Sequence, residues 1–147
     1  MYLGLTQYLE TCPQLAGQVF NFDFIKEEAA SYSVVLPNNI PEISKDTLGN
    51  SRCTLVFQIN SVELFGEDIA NNISNLDFLQ KIKKWFEKQN RKKKFPDFGE
   101  DKEVLGVYAT TDGYIDETTP STGRYQLQCK VEYIQKNTNP NKLPLKF

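Results

Sequence analysis

The chain contains no histidine. That absence removes Ser–His and Cys–His nucleophilic pairs, imidazole general bases and most zinc sites. Cysteine is scarce too: Cys12, Cys53 and Cys129 are odd in number and too widely spaced for a CxxC ligand pair. Neither a disulfide framework nor a structural zinc is indicated, and the simpler expectation is three small buried hydrophobes in a reducing cytosol. No apolar run reaches the roughly 18 residues of a membrane span. Met1 to Thr11 shows neither the basic flank nor the small-residue cleavage site of a signal peptide. Glycine and proline number only eight and seven, too few for a fibrous or low-complexity chain. No P-loop, GxGxxG fingerprint or EF-hand loop occurs, so no cofactor or metal is expected. The carboxylate pairs Glu27-Glu28, Glu67-Asp68 and Glu100-Asp101 are neighbours in sequence, and such neighbours rarely point into one site. An enzyme is not indicated.

What is present suits one globular domain. The 147 residues are 39% hydrophobic and 24% charged, with ten Phe and seven Tyr to supply burial. A chain of this size can remove roughly two-thirds of its unfolded surface from water. The net charge of −2 conceals a polarised distribution. Residues 81–94 hold eight cations (Lys81, Lys83, Lys84, Lys88, Arg91, Lys92, Lys93, Lys94) against Glu87 alone. The remaining chain carries nine cations and eighteen acids. A molecule divided in this way can attract its own copies.

Leu5, Tyr8 and Leu9 recur at helical spacing and predict a short helix over 3–11, ending before Pro13. Residues 19–24 alternate apolar and polar side chains, as a strand with one buried face does, and 31–36 reads as its hairpin partner. The stretch 37–50, with Pro37, Pro41 and Gly49, reads as a long loop or protruding arm. A third strand is expected over 52–62, with Cys53, Leu55, Phe57 and Ile59 on one face. Ile69 and Ile73 fit a short helix, and Ser74-Asn75-Leu76-Asp77 has the form of a capping box opening a second one. That second helix places Phe78, Leu79, Ile82, Trp85 and Phe86 on one side and Lys81, Lys84, Lys88 and Arg91 opposite, and it should stop before Phe95-Pro96. Residues 103–110 form a fourth strand, Asp112-Gly113 a turn, and 123–135 the clearest strand, with Tyr125, Leu127, Cys129, Val131 and Tyr133 sharing one face. The expected fold class is therefore α+β: an antiparallel four- to five-stranded sheet with helices packed on one face, in a single domain over 1–135 followed by an extended C-terminal tail over 136–147.

The cationic run has two readings. As a solvated helix face it needs no partner, but Lys84 and Lys88 repel at i,i+4 and the charge continues past the expected helix end. An acidic partner relieves that repulsion. Phosphates of a nucleic acid are one candidate, although Phe78, Trp85 and Phe86 lie on the core face and cannot serve as stacking platforms beside the lysines. The acidic surface of a second copy is the other, with Glu63, Glu67, Asp97, Glu100 and Asp101 available, because contact between two different patches generates a ring when the rotation closes.

Several segments in order carry a resemblance: Leu5-Thr6-Gln7-Tyr8-Leu9 before Cys12-Pro13, Phe22-Asp23-Phe24 leading to Ser31-Tyr32-Ser33-Val34, and Val56-Phe57 before Phe65-Gly66-Glu67-Asp68. Trp85-Phe86-Glu87-Lys88-Gln89-Asn90, Gly113-Tyr114-Ile115 and Arg124-Tyr125-Gln126-Leu127-Gln128-Cys129 continue it. Over residues 3–135 the chain resembles a family of small phage and prophage proteins, the minor capsid or tail terminator proteins. The resemblance implies a tail-terminator-like α+β fold and a hexameric ring capping the tail tube. Its partners would be itself, the tail tube protein and a head-neck connector protein. It would meet DNA only as passage through the ring, make no membrane contact, and reside in the virion tail or neck after synthesis in the bacterial cytoplasm. A neck or head-completion adaptor is the alternative in the same class, and a small nucleic-acid-binding module the alternative from another. The candidate interface is Lys81, Lys84, Lys88, Arg91, Lys92, Lys93 and Lys94 with Glu67, Asp97, Glu100 and Asp101; no residue is given a catalytic role.

Overall fold

A computed structural model describes residues 1–16, 20–22, 31–37, 42–64 and 69–137. Helix α1 (Tyr2–Glu10) forms where the apolar spacing places it, and it buries Leu5, Tyr8 and Leu9. Gly4 is required there, since a Cβ at this position would collide with the carbonyl oxygen of Asp97. Strands β1 (Phe20–Phe22), β2 (Ser31–Val35), β3 (Glu42–Lys45) and β4 (Ser51–Leu64) follow. Helix α2 (Ile69–Lys92) then leads to β5 (Lys102–Ala109), β6 (Tyr114–Thr118) and β7 (Thr122–Gln135).

The two 14-residue strands β4 and β7 are the spine, paired antiparallel from Ser51 opposite Gln135 to Leu64 opposite Thr122. Along the other edge of β4 lie β2, against 58–62, and β3, against 51–53. The outer edge of β7 takes β5 against 129–135 and β6 against 123–126. The path β1-β2-β4-β7-β5 with β3 and β6 beside it makes seven strands. Since β4 and β5 both run antiparallel to β7, they are parallel to each other, and α2 is the crossover between them.

Alternation explains the core. Leu55, Phe57 and Ile59 of β4 stand opposite Val131, Cys129 and Leu127 of β7, and all six are at most 1% exposed. Their intervening neighbours Val56, Gln58 and Lys130 face the other way and are wholly or partly exposed. The buried residues of both helices join the same cluster, so the helices cover one face. Phe86 meets Phe57 edge-on at 6.4 Å and Trp85 at 5.7 Å, while Tyr8 lies 5.0 Å from Trp85. The second face is polar: Gln126 donates to Gln58 at 3.1 Å and to Asn60 at 2.9 Å, and accepts from the Tyr114 hydroxyl.

The α+β class holds, with six strands antiparallel to a neighbour, but several expectations need correction. The sheet has seven strands, not four or five. The strands at 20–22 and 31–35 are parallel, with Phe20 opposite Tyr32, not a hairpin; alternation fixes which face is buried but not strand direction. The supposed loop 37–50 contains β3, closed onto β4 by a turn in which Asp46 accepts from the backbone N–H groups of Leu48 and Asn50, both at 2.9 Å. Strand β6 was missed because four of its five residues are exposed and leave no hydrophobic period. The capping box at 74–77 opens nothing: α2 is continuous over 24 residues. Lys136 and Asn137, the first residues of the expected tail, are held by Asp101 and Asn50, the second through Asn137 N–H donating to Asn50 Oδ1 at 2.7 Å. Residues 138–147 lie outside the described residues, as do the connectors 23–30 and 65–68.

Candidate functional site

The cationic run is brought together by α2. Leu79, Ile82, Trp85 and Phe86 are buried and Phe78 half-buried, so Lys81, Lys84, Lys88 and Arg91 are turned to solvent by the helix period. The helix ends in a Schellman motif, with Lys93 N–H donating to the Asn90 carbonyl at 3.1 Å and Lys94 N–H to that of Gln89 at 3.0 Å. This closure needs a left-handed residue, and the residue there is Lys93, at φ 54°. The reversal turns Lys93 and Lys94 back towards α1, where the Tyr8 hydroxyl donates to the Lys94 carbonyl at 3.0 Å. A cavity of about 610 Å³ opens at this junction, lined by Tyr8, Trp85, Gln89, Lys93, Lys94 and Phe95. Burial pushes the Tyr8 phenol above its ordinary range, so it remains a proton donor.

None of the ridge cations Lys81, Lys84, Lys88, Arg91, Lys92, Lys93 and Lys94 has a carboxylate partner among the described residues; the ion pairs there use Arg52, Lys83, Lys102, Arg124 and Lys130. Crowding by Lys88, then by Lys94, holds the Lys92 ammonium below its ordinary pKa. Lys83 behaves differently. Its Nζ lies 2.6 Å from Asp112, which raises its pKa and lowers that of Asp112.

The acids assigned to the interface divide. Glu67 lies outside the described residues. Asp97 and Glu100 are exposed, but they follow the ridge directly in the chain and sit at its own end, with the loop pinned against α1 at Gly4. Asp101 is engaged internally: the Gln135 amide at 3.1 Å and Lys102 at 3.1 Å hold its carboxyl below the usual range. A second acidic feature was not read from the sequence. The β6–β7 hairpin presents Asp116 and Glu117, both paired with Arg124, the Glu117 contact at 3.1 Å. Only the acid–acid pair Asp116-Glu117 beside Thr-rich turn residues signals it in the sequence, and without burial that signal is weak.

Asn90, not singled out in the sequence, has a structural role. Its amide donates to the Val107 carbonyl at 2.7 Å and accepts from the Val107 N–H at 3.0 Å, so α2 occupies the outer edge of β5 as a paired strand would. No group of three or more His, Cys, Asp or Glu side chains is gathered for a metal among the described residues. The three thiols are free and buried, and burial raises Cys12 and Cys129 away from thiolate character. The arrangement gathers exposed cations along one side and at the end of α2. No helix among the described residues is long and apolar enough to cross a membrane. No family model matches the chain, and no curated protein matches it.

Proposed function

We propose that this chain is a structural protein of the phage head-tail region, a tail terminator that assembles as a ring on the tail tube and joins it to the head. The observation that carries the reading is the cationic ridge of α2, exposed and without carboxylate partners among the described residues, on a chain whose remaining charge is acidic. An anionic partner would offset the self-repulsion of such a surface, and the acidic remainder of other copies of the same chain could supply one. The resemblance over residues 3–135 supports the choice of assembly. Burial of Trp85 and Phe86 weighs against a nucleic-acid module, because neither ring is free to stack a base beside the lysines.

The test is electron microscopy of phage particles made without the protein. Overlong or ragged tails on filled heads are the expected outcome. Tail-free heads would assign the neck adaptor role instead, and normal particles would overturn both.

A further inference from the structure

The fold separates opposite charges along one helix. Around Leu79 and Lys83, α2 packs on the base of the β6–β7 hairpin: a Cβ on Gly113 would lie 2.6 Å from the Leu79 Cβ, and Asp112 binds Lys83. Beyond that base Ile115–Ser121 are all exposed. The hairpin is nonetheless ordered by its turn, where Thr119 N–H donates to the Thr122 carbonyl at 2.7 Å and its hydroxyl accepts from Thr122 N–H at 2.9 Å. Arg124 is one cation for two carboxylates, and the Glu117 side chain remains 65% exposed. From Leu79 to Lys92 the helix rises about 20 Å at roughly 1.5 Å per residue. At that far end stand Lys88, Arg91 and Lys92, without carboxylate partners among the described residues.

Two complementary patches displaced on one molecule make a contact that repeats from copy to copy, closing into a ring if the rotation allows. Asp97 and Glu100 serve this poorly, because a copy presenting them also presents the cations beside them. The hairpin sets two carboxylates against one cation, Arg124, and so keeps a net negative charge. We propose that the acidic β6–β7 hairpin of one copy docks on the cationic C-terminal end of α2 of a second copy, Glu117 and Asp116 facing Lys88, Arg91 and Lys92. The inference rests on the ring-assembly reading and names the surface that builds it. The exposed Ile115 supplies apolar contact at the hairpin.

The experiment is charge exchange on the full chain, read by sedimentation at low ionic strength, with circular dichroism confirming that each variant is folded. Glu117→Lys spares the Asp116–Arg124 pair and should weaken self-association by about tenfold, as like charges now oppose. Lys88→Glu, on a separate element, should weaken it by a similar factor. The double variant E117K/K88E, whose net charge equals that of the parent, should recover association. A parent chain that stays monomeric at all concentrations, a single reversal without effect, or a double variant no better than the singles overturns the proposal. The tail phenotype of particles lacking the protein is independent of this readout, so a failed exchange with overlong tails removes the docking surface and leaves the assembly role.

Discussion

Lys93 holds a backbone conformation that glycine adopts freely and lysine does not. Its left-handed turn lets the last carbonyls of α2 be satisfied and folds Lys94 back onto Tyr8, so an ordinary helix end becomes one wall of the cationic cavity. The cost of placing an L side chain there is roughly 1 kcal/mol or more. Lys93→Gly should therefore stabilise the domain by about 1 kcal/mol, checked by urea unfolding, while removing one ridge charge. Asn60 is a second residue whose place only the structure gives. It is fully buried, its carbonyl accepts from Gln126, and its Nδ2 has no hydrogen-bond partner among the described residues. Its alternation in β4 pointed to the solvent face.

At the scale of elements, α2 does two tasks with one periodicity. Its apolar side closes the core over β4 and β7, and its end clamps β5 through Asn90. An edge strand left open is a template for uncontrolled pairing, and a side-chain amide matching both backbone groups of Val107 closes this one at its centre. Asn90→Ala should cost about 1–3 kcal/mol, since the buried Val107 loses both partners. Hydrogen exchange should show the Val107 amide losing protection ahead of Cys129 and Val131 on the neighbouring strand. The edge of β6 is guarded differently, by exposed Asp116 and Glu117. The long strands β4 and β7 were legible because burial of one face imposes alternation, through Cys53–Ile59 in β4 and Tyr125–Tyr133 in β7. Short β3 and exposed β6 owe their existence to the neighbour they pair with, and no local pattern marks them.

At the scale of the molecule, the ion pairs among the described residues join partly or largely exposed side chains, so they contribute little to fold stability. The ridge cations have no carboxylate partner among the described residues, and the proposed attraction of the ridge for another copy would be screened by salt. Raising ionic strength from about 0.1 M to about 1 M shortens the screening length from about 10 Å to about 3 Å. Self-association measured by sedimentation should fall steeply over that range while the thermal midpoint of the dilute monomer stays nearly constant. The sequence by itself determined the α+β class, the core faces of β4, β7 and α2, the outward cationic stripe and the helix stop before Phe95-Pro96, because periodicity and proline act over a few residues. Only the tertiary structure decided that β1 joins in parallel, that Asn90 plugs β5, that Asp101 is engaged by Lys102 and Gln135, and that Asp116 and Glu117 share Arg124 on the β6–β7 hairpin. Strand direction and charge proximity depend on residues far apart in the chain, and no local periodicity records which distant segments the fold will bring together.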